Sequence, residues 1–192
     1  MRKLKGEKVL KDMTAKLQKV FLSSFDEFLE NEAQNILNGV SERNLCGRLA
    51  KLIEEKAHTS GFDEYFADIE YNRKQDGQVK TIIDENMEVV SITPDIILHS
   101  RGKKIKNDNL IAVEMKRKEH LESEKRKDRN RLCALTKSSE VWSYDGKSHP
   151  EHVYGYSLGY FLELDINSQL FRIEEYRQGK LAGSLEKKFR SA

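Results

Sequence analysis

The sequence has only two cysteines and no long apolar run, and both shortages narrow the kind of protein it encodes. Cys46 and Cys133 are too few for a disulfide framework and lack CxxC spacing, so we expect two buried free thiols. No apolar stretch approaches the ~20 residues that span a bilayer, and the basic N-terminus lacks the apolar region of a signal peptide. We therefore expect a cytoplasmic protein with no membrane partner.

The signatures of several enzyme classes are missing as well. The chain has no GxxxxGK[ST] loop, no GxGxxG and no GxSxG, which leaves out the common nucleotide-binding and hydrolase motifs. Its five histidines form no zinc-binding pattern with the cysteines. What is present is a chain of 192 residues, 34% of them charged, which is long enough for one domain with a proper core.

Charge is segregated along the chain although the net charge is only +2. Lysine and arginine concentrate in residues 1–20 and 101–131, whereas aspartate and glutamate dominate residues 26–95. Such segregation favours a protein with one side facing a polyanion, and nucleic acid is the obvious candidate. A charged helical protein without that partner can show the same pattern.

Apolar residues at three- and four-residue spacing predict three helices, over Val9–Leu37, Ser41–Ala57 and Glu119–Ser139. Gly39 suits the end of the first helix, and Ser41 is a good N-cap for the second. The first helix is longer than a small domain usually needs. It is either an appended structural helix or an arm that forms a homodimer.

Short runs rich in β-branched and aromatic residues predict strands between and after the helices. The first two are Tyr65–Tyr71 and, less clearly, a short edge strand or loop at 79–83. Strands at Val89–His99, Asn109–Lys116, Val153–Asp165 and Leu170–Tyr176 follow, and the polar tail from Gly179 is expected to fray. In the strand that ends at Asp165, Gly155, Ser157 and Gly159 share one face and would let a helix or ligand approach the sheet closely.

The stretch from Pro94 to Lys116 carries the clearest chemical pattern. Two apolar runs, joined by a polar turn, read as a hairpin that would bring Asp95 near Glu114. Because residues i and i+2 of a strand share a face, Glu114 and Lys116 project to the same side. One interpretation is a pair of solvated carboxylates at strand ends with no functional role. The other is a Mg²⁺ site, since Mg²⁺ usually takes one or two protein carboxylates.

At Pro94-Asp95 and Glu114-x-Lys116 the sequence resembles the PD-(D/E)xK nuclease superfamily. The resemblance implies an α/β, restriction-endonuclease-like αβββαβ core with an N-terminal helical extension. It implies a Mg²⁺-dependent endonuclease, with Mn²⁺ able to substitute, that hydrolyses phosphodiester bonds most plausibly in DNA. Asp95, Glu114 and the backbone carbonyl of Met115 would bind metal, and Lys116 would orient the attacking water.

Two further residues lie at the start of the second helix. Glu42 falls on its inward stripe, where it is either a favourable charge at a helix N-terminus or, as in many members of the superfamily, a carboxylate near the metal. Arg43 could reach a phosphate, although a surface arginine is the simpler interpretation.

The third helix supplies the expected phosphate contacts, Lys125, Arg126, Lys127 and Arg129, because these cations are dense and have few alternating acidic partners. A solvated helix face is the alternative. The implied domains are a helical extension over 1–39, a nuclease-like domain over 40–178 and a tail over 179–192. The competing functions are a catalytically silent nucleic-acid-binding or regulatory relative, and a nuclease directed at RNA.

Overall fold

The structure is a computed structural model that describes residues 2–71, 81–83, 89–91, 93–104, 107–137 and 155–190, with side chains described from residue 12 onward except in 81–83 and 89–91. These residues form three helices and eight strands, an α/β architecture. The helices are α1 (Arg2–Leu37), α2 (Glu42–Thr59) and α3 (Glu122–Leu135). The strands are β1 (Phe66–Ile69), β2 (Thr81–Ile83), β3 (Val89–Ser91), β4 (Ile96–His99), β5 (Asn109–Arg117), β6 (Leu158–Asp165), β7 (Leu170–Arg177) and β8 (Lys180–Lys188).

Six of these strands build one mixed sheet in the order β1-β4-β5-β6-β7-β8. The β4–β5 hairpin is antiparallel, as the sequence predicted, and β5 pairs with β6 in parallel. A parallel pair needs a crossover, and α3 lies in the connection between these two strands. Strands β2 and β3 form a separate two-stranded sheet.

Helices α1 and α2 cover one face of the sheet and form the main core with it. Phe21 stacks on Tyr160 of β6 with ring centroids 3.6 Å apart, and Phe25 meets the edge of Phe171 on β7 at 5.1 Å. These aromatic rings are fully or almost fully buried. Each such side chain contributes about 1.5–3 kcal/mol through burial, so α1 is an integral part of the hydrophobic core.

Helix α3 covers the opposite face, with Leu132 and Leu135 packed against Ile97, Ala112 and Phe161. It comes so close to β6 that a Cβ on Gly159 would lie 3.0 Å from Thr136 and 3.3 Å from Leu132. The expectation that small residues allow close approach of a helix is therefore confirmed at Gly159, whereas Gly155 and Ser157 precede β6. The α3 backbone is held near β5, where the charged motif lies.

Several predicted boundaries are wrong, each for an identifiable reason. The single strand expected over Val89–His99 is split into β3 and β4, with Pro94, which cannot donate a ladder hydrogen bond, lying between them. Residues 180–188, expected to fray, form β8, an exposed strand whose backbone pairs with β7. Residues 79–80 and 153–154 of predicted strands, and 138–139 of the third predicted helix, lie outside the described residues.

The apolar stripe of α1 is not available to a second chain. Leu17, Val20 and Phe28 are buried in the protein's own core, as are most of the other apolar positions through Ile36. The alternative of a dimerisation arm formed by this stripe is thus wrong for residues 17–36. The side chains of Val9 and Leu10 lie outside the described residues.

Candidate active site

The antiparallel register of β4 and β5 brings Asp95 beside Glu114. Ile96 pairs with Val113, so continuing the register by one residue places Asp95 opposite Glu114. Residues directly opposite in an antiparallel pair have Cβ atoms about 5 Å apart. The two halves of the sequence motif therefore meet where β4 begins.

Beyond that point β5 runs on without β4, and two carboxylates take the place of the missing strand. The N–H of Met115 donates to Asp95 Oδ2 at 2.8 Å, and the N–H of Arg117 donates to Glu42 Oε1 at 2.8 Å. Amides two residues apart point to the same side of a strand. Glu42, the first residue of α2 after the Ser41 cap, thus reaches the same strand edge as Asp95.

On the α3 side, four alternating charges connect β5 to the helix. Glu114 Oε1 accepts a hydrogen bond from Arg131 Nη1 at 2.6 Å, and the same nitrogen lies 3.1 Å from Asp128 Oδ1. Asp128 Oδ2 is 3.5 Å from Lys116 Nζ. We call Glu114, Lys116, Asp128 and Arg131 the charge quartet. Its two acids are almost wholly buried, and among the described residues the second oxygen of Glu114 and Oδ2 of Asp128 have no hydrogen-bond partner.

Burial and mutual repulsion disfavour negative charge at this site. Burial raises the pKa of Glu114 well above its usual range, and Asp95 and Asp128 add repulsion that Arg131 only partly offsets. Burial also raises the pKa of Asp95, although the hydrogen bond from the Met115 N–H and the charge of Lys116 act to lower it. For Lys116, the attraction of Asp95, Asp128 and Glu42 outweighs burial, so its pKa is raised and the ammonium stays charged.

A cleft of about 140 Å³ opens beside these groups. It is lined by Glu42, Arg43, Cys46, Ile69, Glu70 and Asp95. Burial raises the pKa of the Cys46 thiol, and Asp95, Glu114 and Glu42 raise it further. The cleft is therefore lined by three carboxylates: Glu42 at the start of α2, Glu70 just after β1 and Asp95 just before β4.

Comparison with known proteins gives no family for this site. No protein-family model, curated protein or solved structure matches the chain. None of the helices within the described ranges is long and apolar enough to cross a membrane.

The donor set fits a cation that binds few protein ligands. Within the described residues, no group of three or more His, Cys, Asp and Glu side chains is arranged to hold a metal ion. Mg²⁺ needs no such cage, since one or two carboxylates suffice and water and substrate supply the rest. Asp95 and Glu114 supply two, with a buried Glu114 oxygen that lacks a partner. Glu42 and Asp128 add two further carboxylates near Lys116 and Arg131.

The geometry does not test the metal-binding roles predicted for Glu42 and for the backbone carbonyl of Met115, although both residues lie at the site. Glu42 is placed at the cleft with Asp95. The side chain of Met115 is fully buried among residues of the α1/α2 face, while its backbone lies at the site edge. A metal contact through its carbonyl stays a prediction.

The cations of α3 do not form one free basic face. Lys125 is buried and bound to Glu163 at 2.7 Å, and Arg129 is bound to Glu174 at 2.9 Å. The expectation of few acidic partners is therefore wrong for these two. Arg126 and Lys127 are exposed. Arg43 is exposed too, at the cleft, where it lies 3.1 Å from Glu70.

Sequence reasoning missed Asp128 and Arg131. Both lie in the charged run of α3, where nothing distinguishes them from the cations around them. The available signal is their spacing of three residues, which places an acid and a base on one helix face. Recognising their partners requires knowing that this face packs on β5.

Proposed function

We propose that this protein is a Mg²⁺-dependent nuclease of the PD-(D/E)xK type that hydrolyses phosphodiester bonds, with DNA as the first substrate to test. The observation that carries the proposal is the meeting of Asp95 and Glu114 across the β4–β5 pair, with Lys116 on the same face of β5. Two carboxylates and a lysine so placed are costly to bury in a core, and they suit a site that binds a cation and a phosphate.

The order of elements supports the same proposal. The main sheet and the two helices beside it follow the chain order α2, β1, β4, β5, α3 and β6. The separate β2–β3 pair is inserted between β1 and β4. This order agrees with an αβββαβ core, and the motif lies on its second and third strands. Helix α1 and strands β7 and β8 extend that arrangement.

The chain's own groups would divide the work of hydrolysis. Asp95 and Glu114, supported by Glu42, would hold Mg²⁺, which when bound supplies positive charge against the phosphate. Lys116, whose side chain lies on the same face of β5 as Glu114, would act as a hydrogen-bond donor that orients the attacking water and stabilises its deprotonated form. The cleft beside Asp95 gives a phosphate a route to these groups.

Cleavage of supercoiled, linear, branched and single-stranded DNA, and of RNA, with and without Mg²⁺ or Mn²⁺ tests this function. We expect metal-dependent cleavage that falls at least about a hundredfold in Asp95→Ala, Glu114→Ala and Lys116→Ala, the scale on which positioned acid and base groups act. Arg190→Gln, which removes an exposed arginine just beyond β8, is the control and should cleave normally.

Two outcomes would redirect the proposal. Nucleic-acid binding without cleavage under any metal condition would favour the catalytically silent relative. Cleavage restricted to RNA would keep the site and change the substrate.

A further inference from the structure

The charge quartet has a feature that a simple metal site does not require. Arg131 occupies one oxygen of Glu114 at 2.6 Å, while the other oxygen is buried without a partner. A divalent ion at Glu114 must therefore bind within a few ångströms of a fixed guanidinium. Arginine does not lose its proton in proteins, so this positive charge is permanent.

The neighbour of Arg131 on the helix has the opposite effect. Asp128 lies one turn earlier and contacts both Arg131 and Lys116, at 3.1 and 3.5 Å. It is buried, and its Oδ2 makes no hydrogen bond. Within one turn, α3 thus directs one positive and one negative charge at the motif residues of β5.

We propose that Arg131 and Asp128 are positioning residues that change the affinity of the site for a divalent cation in opposite directions. Arg131 acts as a built-in cation that neutralises Glu114 in the metal-free protein and competes with the incoming ion, and Asp128 limits that competition. The proposal rests on the metal site proposed above. It adds a prediction about the direction of each effect, because removing the charge of Arg131 and removing that of Asp128 should change metal affinity in opposite directions.

A purely structural role predicts something different. If the quartet only held α3 on the sheet, loss of either Arg131 or Asp128 would loosen Glu114 and weaken metal binding in both cases. Coulombic competition instead predicts tighter binding without the positive charge and weaker binding without the negative one.

Direct titration of Mn²⁺ by electron paramagnetic resonance, without nucleic acid, measures this affinity independently of catalysis. Arg131→Gln should bind Mn²⁺ at least about tenfold more tightly, which is the effect of one charge about 6 Å from a divalent ion even at the dielectric constant of bulk water. Asp128→Asn should bind more weakly by a similar factor, and the double variant should return near the starting affinity. Arg131→Lys, which keeps the charge, should stay within about threefold, since only the change of charge has a large Coulombic effect.

Arg190→Gln is the control, because it removes the same charge at an exposed position just beyond β8, which lies three strands from β5 in the sheet. Its affinity should not change. Unchanged or weaker binding in Arg131→Gln, with the original protein binding Mn²⁺, overturns this inference and leaves the metal site standing. Absence of binding in all variants overturns both. If Arg131→Gln binds Mn²⁺ while the original protein and the other variants do not, Arg131 excludes the ion from the original protein, which supports the proposal.

Discussion

Among single residues, Glu114 is a buried acid whose ionisation works against folding. In the folded protein its pKa is raised, so the folded state keeps a proton that the unfolded chain releases near its ordinary pKa of 4.5. An acid with a raised folded pKa favours folding at low pH. That advantage is lost as pH rises from the unfolded value through the folded one. Asp95 has the same sign.

Glu114→Gln should therefore stabilise the metal-free protein more as pH rises. The amide keeps the shape of the side chain and removes the charge, while Arg131 retains Asp128 as a partner. Thermal unfolding in chelator, compared at about pH 5 and at about pH 8, should show a gain in Tm that is larger at the higher pH, because the penalty for ionising Glu114 grows as pH rises above the ordinary value of 4.5. The exposed Glu122→Gln is the control: its pKa is lowered by Lys125, so its loss should give no such gain.

A divalent ion bound at Asp95 and Glu114 should offset the destabilising effect of their negative charges. Mg²⁺ or Mn²⁺ at ten times its dissociation constant stabilises a protein by about 1.4 kcal/mol when it binds only the folded state. We expect a rise in Tm with metal for the original protein and none for Asp95→Asn or Glu114→Gln. A Ca²⁺ titration provides a comparison ion that suppresses cleavage. Equal metal-induced shifts in Asp95→Asn would place the ion elsewhere.

At the scale of elements, α3 separates into cations that hold the fold and cations that face solvent. Lys125 and Arg129 are bound to β6 and β7 carboxylates, and Arg129 also lies over the ring of Phe161 at 4.4 Å. Arg126 and Lys127 lie between them in sequence and are exposed. One helix therefore offers a matched comparison.

Replacing Arg126 and Lys127 together with glutamine should weaken DNA binding if this face meets phosphates. Each lost contact should also reduce the slope of log K against log[salt] by about 0.9 for duplex DNA. Measurement in Ca²⁺ avoids cleavage. Lys125→Ala should instead lower Tm by several degrees, because it leaves Glu163 without its partner. An unchanged slope in the double variant would remove α3 from the nucleic-acid surface.

The elements that the sequence predicted well are those whose local pattern and tertiary role agree. Ser41 caps α2 through the N–H of Asn44 at 3.3 Å, and the β4–β5 hairpin brings the two motif halves together. Strand β8 is not evident from the sequence because its side chains are almost all exposed and mostly polar, so no buried face marks it and pairing with β7 forms it. The quartet partners Asp128 and Arg131 were missed because their significance depends on packing between distant segments.

For the whole molecule, α1 is the element on which the core depends. Phe25 is fully buried between Phe21, Phe28 and Phe171. Phe25→Ala should cost about 3–5 kcal/mol of unfolding free energy through lost burial and the cavity it leaves. Urea unfolding followed by circular dichroism measures this loss. Leu181→Ala, at a leucine 56% exposed on β8, should change stability by no more than about 0.5 kcal/mol. A small effect at Phe25 would mean that α1 is a detachable extension.

The partners of α1 lie near the other end of the sequence, and this has a consequence during synthesis. Gln18 on α1 donates a hydrogen bond to Glu175, 157 residues later, and Asp26 pairs with Lys187. A ribosome adding about 5–20 residues per second needs roughly 8–30 seconds to cover that distance. Until then α1 can pair with α2, but the phenylalanine face that will meet β6 and β7 has nothing to cover it. The nascent chain should therefore bind a holding chaperone through Phe21, Phe25 and Phe28, and release from it should follow translation of β7.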